Sequence, residues 1–117
     1  MANSSAPEQI IPPAGVRPRG LFVVDLDGTL LRADRTVAAH DLGALRRLGE
    51  RGVVRAIATG RSLFSFNTVE IPELSIDFVV FSTGAGVLQY NTGEIIRQAE
   101  LKSREVERIG AVLQTCR

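Results

Sequence analysis

At 117 residues, 44% hydrophobic and 23% charged, the chain has the length and composition of one modest globular domain, which excludes disorder over most of it. Lys and Arg total 14 against 13 Asp and Glu, a net charge of +1, and no run of like charge is longer than Arg46-Arg47, so the footprint of a nucleic-acid or anionic-membrane binder is missing. No apolar run approaches the roughly 20 residues that cross a bilayer, and the lone Cys116 cannot close an internal disulfide, so a reducing cytoplasm is the expected compartment.

Residues 1–19, MANSSAPEQIIPPAGVRPR, are rich in Pro, Ser and Ala and lack the apolar core of a signal peptide, so they read as a disordered leader. The run 21–25, LFVVD, is continuously apolar and β-branched up to its last residue, which predicts a strand covered on both faces, as in a parallel sheet. In 37–52, VAAHDLGALRRLGERG, Leu42, Leu45 and Leu48 join Val37 and Ala38 on one helical stripe, with Arg46, Arg47, Glu50 and Arg51 facing away. Thr36 is the expected N-cap and Gly52 the expected stop. A second strand, 53–58, leads into Thr59-Gly60-Arg61 and a short helix over 62–69. The third strand, 77–82, ends in the small residues Thr83 to Gly86. Strands at 87–90 and 94–97 around Asn91-Thr92-Gly93 predict a hairpin. Finally, Val106, Ile109, Val112 and Leu113 predict a helix within 101–116. No internal repeat is present.

Strand alternating with helix is the grammar of a doubly wound α/β sheet, in which ligands bind beyond the carboxyl ends of the strands. Three polar clusters fall at three such ends: Asp25 with Asp27, Thr59 with Gly60 and Arg61, and Ser82 with Thr83 and Gly84. Parallel strands bring them to one rim.

If extended geometry persisted from Asp25 to Asp27, their carboxylates would lie on one side and repel each other. A divalent cation such as Mg²⁺, which prefers carboxylate, carbonyl and water oxygens, would relieve that repulsion and could also hold a phosphate. A calcium loop is excluded, because its required glycine at position six is Leu30 and its closing glutamate is Thr36. The plain alternative is a pair of turn aspartates after a buried strand. Thr59 and Gly60 suit an anion site at a helix start, though Thr59 as a mere N-cap and Arg61 as a solvated side chain account for the same residues. The cluster from Thr83 to Gly86 reads equally as a small-residue turn. Cys116 is not expected to be a nucleophile, since the one histidine, His40, lies in a separate helical segment.

Asp25-Leu26-Asp27-Gly28-Thr29-Leu30-Leu31 resembles the first signature of the haloacid dehalogenase superfamily of phosphohydrolases, and 56–61, AIATGR, resembles the second as written in its Cof-like sugar-phosphatase subgroup. Residues 81–96 are similar to that subgroup's third strand and hairpin, with Thr83 where asparagine is usual. The resemblance implies a partial Rossmann-like core over 20–97, followed over 98–117 by a helix leading toward a cap domain that is essentially absent. It implies a Mg²⁺-dependent phosphatase acting on a small phosphorylated metabolite, a sugar phosphate above all. Asp25 would be the nucleophile, and Asp27 the acid and base, its proton affinity tuned upwards relative to Asp25. The Asp25 carboxylate and the Asp27 carbonyl would hold the metal, and Thr59 and Gly60 the phosphoryl oxygens. The family's phosphate-anchoring lysine and second acidic pair have no counterpart in this sequence: Lys102 follows the hairpin and is expected to be a solvated residue in the first turn of a helix. The family's first strand is central, so here one side of it is expected to be empty. The alternative reading is therefore a non-catalytic fragment that self-associates through an exposed sheet edge.

Overall fold

The computed structural model describes residues 17–116, so the first sixteen residues of the expected leader lie outside the described residues. Within that leader, the Arg19 N–H donates to the Gly52 carbonyl at 2.9 Å. Strands β1 (Gly20–Asp25), β2 (Val53–Ala58), β3 (Phe78–Phe81), β4 (Gly86–Gln89) and β5 (Glu94–Gln98) form one sheet in sequence order. The first three are parallel and the last two antiparallel, which is the expected α/β core with its hairpin. The hairpin loop is one residue longer than expected, running from Tyr90 to Gly93. Tyr90 leaves the strand to set its ring edge-on to Phe66, with centroids 6.4 Å apart.

Register puts Val24, Ile57, Val79 and Leu88 in one row across four strands, on the same face. Ile57 and Val79 are fully buried there, and the core continues through Leu45 of helix α1 (Ala39–Glu50), Phe66 of helix α2 (Leu63–Asn67) and Ile76. A cavity of about 230 Å³ remains between β1 and α1, lined by Phe22, Val24, Leu45 and Leu48 among others.

Two expectations fail here. β1 is not covered on both faces: Leu21, Phe22 and Val23 are 68%, 39% and 51% exposed. Leu21 and Val23 point to the face opposite α1, which packs by Phe22 and Val24, and β1 is also the sheet's edge, with no strand beyond it among the described residues. This is the empty side that the resemblance implied. Thr36 is not the N-cap of α1 either. Asp34 captures it, accepting its hydroxyl at 2.6 Å and its N–H at 3.0 Å in a local turn, and the helix starts after Ala38 with no side-chain cap. Gly52 does end the helix, with φ 77° and its N–H donating to the Gly49 carbonyl at 3.0 Å.

The last helix, α3 (Ser103–Gln114), begins where the Lys102 N–H donates to Glu105 Oε2 at 2.6 Å. Its predicted apolar stripe of Val106, Ile109, Val112 and Leu113 is exposed, so periodicity formed the helix without a partner for that face among the described residues. Lys102 is exposed at the N-cap position, one residue before the first turn.

Candidate active site

The ends of β1, β2 and β3 are level, because Asp25 pairs with Ala58 and Ala58 with Val80. Hydrogen bonds carry the alignment past the strands. The Thr59 N–H donates to Val80 O at 2.9 Å, the Thr83 N–H to Thr59 O at 3.1 Å, and the Ser82 N–H to Arg61 O at 2.8 Å. The second and third clusters predicted to share the rim are thus knitted together by backbone, and the first joins them through the side chains of Asp27 and Arg61.

Extended geometry stops at Asp25. Leu26 is fully buried in a turn, and with Leu30 and Leu31 it anchors the loop in the core while Asp25 and Asp27 stay exposed on the rim. The alternation of apolar and acidic residues in 25–27 is therefore a turn with one leucine inward. Gly28, at φ 77°, lets the chain reverse, and its N–H donates to Leu31 O at 2.9 Å. Asp25 Oδ1 accepts the Leu26 N–H at 2.9 Å, whereas Oδ2 has only a 3.5 Å contact with the Thr29 hydroxyl. Among the described residues the Asp27 carbonyl accepts no backbone hydrogen bond. One loosely held carboxylate oxygen and one unpaired carbonyl are hard oxygen donors of the kind Mg²⁺ takes while keeping several waters. No cluster of three or more His, Cys, Asp or Glu suited to a metal exists among the described residues.

Asp27 departs from expectation. Its carboxylate lies in the fork of Arg61, with Nε to Oδ2 and Nη2 to Oδ1 both at 2.8 Å. This bidentate bond, reinforced by the charges of Arg61 and then Arg35, holds the Asp27 carboxyl below the ordinary aspartate range in spite of a smaller opposing desolvation, and Arg61 is raised in turn. The cation beside Asp27 favours its charged form, which runs against the upward tuning expected for an acid role. Arg61 is not the solvated side chain of the plain reading, for its Nη1 also donates to Ser65 Oγ at 3.1 Å.

Thr59 is buried and its hydroxyl accepts the Arg61 N–H at 3.1 Å, bracing the loop. It does not cap α2. Ser62 does, accepting the Ser65 N–H at 3.1 Å. The Gly60 N–H has no hydrogen-bond acceptor among the described residues, and Gly60 is exposed. Thr83 sits at φ 56° and ψ 35°, a left-handed conformation that asparagine, usual at this place in the resemblance, adopts more readily than a β-branched residue. Gly86 belongs to packing: a Cβ there would come within 2.1 Å of the Phe81 ring across the β3–β4 pair.

The sequence reading missed what Arg61 grips. Positions 27 and 61 are unrelated in sequence, and only the convergence of strand ends could have suggested that a cation in one cluster meets a carboxylate in another.

The profile of the haloacid dehalogenase-like hydrolases matches residues 22–116. An HMP-PP phosphatase of Klebsiella pneumoniae strain 342 is 37% identical over 79 residues, which is 67% of this chain and 29% of that protein. A haloacid dehalogenase-like hydrolase of B. subtilis superposes with a TM-score of 0.67 at 26% identity, over 81% of this chain and 33% of that one. A phosphatase of the same superfamily from Bacteroides thetaiotaomicron gives 0.69 at 23% identity, over 86% of this chain and 39% of that one, which speaks for the fold. The chain therefore spans about a third of the length of these relatives.

Proposed function

The chain belongs to the haloacid dehalogenase-like hydrolase family, and from that premise we propose that its rim is the nucleophile half of a Mg²⁺-dependent phosphatase site for a small phosphorylated metabolite of the sugar-phosphate class. The observation that carries the reading is the level register of Asp25, Ala58 and Val80, which sets a loosely held carboxylate oxygen and the unpartnered Gly60 N–H on one edge. The named Klebsiella relative is a phosphatase, which supports a phosphate compound as substrate.

Asp25 attacks phosphorus in line through a carboxylate oxygen, the bond to the leaving alcohol breaks, and an aspartyl-phosphate forms. Asp27 gives that alcohol its proton, then takes one from the water that attacks phosphorus and frees Asp25. The Arg61 fork favours Asp27 as a carboxylate, which suits the second half; in the first half Asp27 has to carry a proton against that field. The Gly60 N–H donates to a phosphoryl oxygen. Thr59, whose hydroxyl is turned into the loop, reaches the phosphate through the backbone it braces or by exchanging its bond from Arg61. The Asp25 carboxylate and the Asp27 carbonyl would hold Mg²⁺, which when bound would neutralise the repulsion between phosphate and nucleophile.

Hydrolysis of p-nitrophenyl phosphate by the 117-residue chain with Mg²⁺ tests this. Asp25→Asn is expected to lower the rate by about a thousandfold or more, and chelation of the metal to abolish turnover. Undiminished activity in Asp25→Asn would exclude the nucleophile assignment. The exposure of Leu21 and Val23 on the free edge of β1 favours a second reading, self-association without catalysis. A monomer in sedimentation that turns over substrate would exclude it.

A further inference from the structure

Each of the three guanidinium nitrogens of Arg61 is engaged. Its Nε and Nη2 both face Asp27 at 2.8 Å, and Nη1 is directed at Ser65, to Oγ at 3.1 Å and to the carbonyl at 3.4 Å. Its own backbone is fastened too: the N–H to the Thr59 hydroxyl and the carbonyl to the Ser82 N–H. A guanidinium anchored on one side by α2 and presenting its planar fork on the other fixes the plane of the carboxylate it holds, which a point charge such as lysine cannot do. The alternative for an arginine on a phosphatase rim is to bind phosphoryl oxygens itself. Through its Nε–Nη2 edge that would require it to release Asp27, and through its end-on edge it would draw Nη1 from Ser65.

We propose that Arg61 is a positioning residue: it orients the Asp27 carboxylate from the α2 side and does not bind the phosphate. The inference rests on the role given to Asp27 above and deepens it. It also accounts for Ser65, whose hydroxyl is the strut behind the guanidinium. Ser65 carries no chemistry of its own.

Two measurements on the full chain separate this from its competitors. With the chain uniformly labelled with ¹⁵N, the Arg61 Nε–H resonance, identified by its loss in Arg61→Lys, is expected to move in Asp27→Ala. It should stay in place when inorganic phosphate and Mg²⁺ are titrated in, while the Gly60 amide resonance shifts. Movement of both with phosphate would make Arg61 a phosphate ligand and overturn the proposal. Movement of neither would leave Arg61 bound to Asp27 but sink the phosphate site, so the two failures are distinct. In the kinetic arm, Arg61→Lys is expected to lower kcat about tenfold or more with KM within about twofold, the signature of lost orientation in place of lost binding. Ser65→Ala should lower kcat in the same direction by less, and it keeps the test open should a change at Arg61 disturb folding. A rise in KM at unchanged kcat would overturn the assignment.

Discussion

Arg55, within β2, and Arg61, just beyond its end, each hold an aspartate by both carboxylate oxygens, yet their surroundings give the two pairs different work. Arg55 meets Asp77 through Nη2 to Oδ1 at 3.0 Å and Nε to Oδ2 at 3.2 Å, with side chains 11% and 30% exposed. Its Nη1 also donates to the Leu45 carbonyl of α1 at 3.0 Å and to Ser75 Oγ at 2.6 Å, and its backbone N–H to Asp77 Oδ2 at 2.8 Å. Helix, strand and the loop entering β3 are tied by one guanidinium. At the rim, Arg61 and Asp27 are 24% and 50% exposed, and solvent screens them. A screened pair adds little stability, whereas a buried one is costly to break because the surviving charge is left without a partner. The lower pair is thus a cross-brace of the fold, and the upper one an orienting device on a site.

The largest expected effect that sharpens this contrast is Asp77→Ala, which strands Arg55 and should cost about 2–3 kcal/mol in urea unfolding, at or below the range for a fully buried pair because Asp77 is partly exposed. Arg61→Met should barely move the urea midpoint. Equal losses from the two would break the comparison. Gly49→Ala comes next. Alanine normally favours a helix over glycine by about 1 kcal/mol, but a Cβ at this position would lie 2.3 Å from Arg55 Nη1 and push the guanidinium off its partners, so a net loss of about 1 kcal/mol is expected. A gain would show that the brace is slack.

The smallest effect is in acid. Asp27 has its carboxyl lowered in the folded state, so whatever the rim pair contributes is present in full above the ordinary aspartate value of 3.8 and is lost as pH falls through the lowered folded value. Comparing wild type with Arg61→Met by thermal melting, the difference should be constant above about pH 5 and vanish at the acid end. A difference that grew on acidification would reverse the sign assigned to the pair.

How legible these features were in the sequence depended on the range of the interaction. Continuous β-branched runs and the spacing of Leu42, Leu45 and Leu48 announced strands and a helix because a period is a local property of the chain. Gly52 announced a stop because a left-handed residue is needed where the helix ends. Thr36 misled because two local partners competed for it, and Asp34 was closer than the helix. The exposed stripe of α3 shows the limit of periodicity, which reports that a face is apolar and not that anything covers it.

By itself, then, the sequence determined the elements, the family signature at Asp25 and Asp27 and the meeting of three clusters on one rim, since hydrophobic period, turn chemistry and the parallel crossover rule act over short stretches and carry over directly. Only the tertiary structure decided that β1 lies at an edge, that Thr59 turns inward to brace its loop, and that Arg61 grips Asp27 and sets its carboxyl below the ordinary range. A carboxylate's protonation and orientation depend on which charge stands a few ångströms away, and for Asp27 that charge comes from thirty-four residues along the chain.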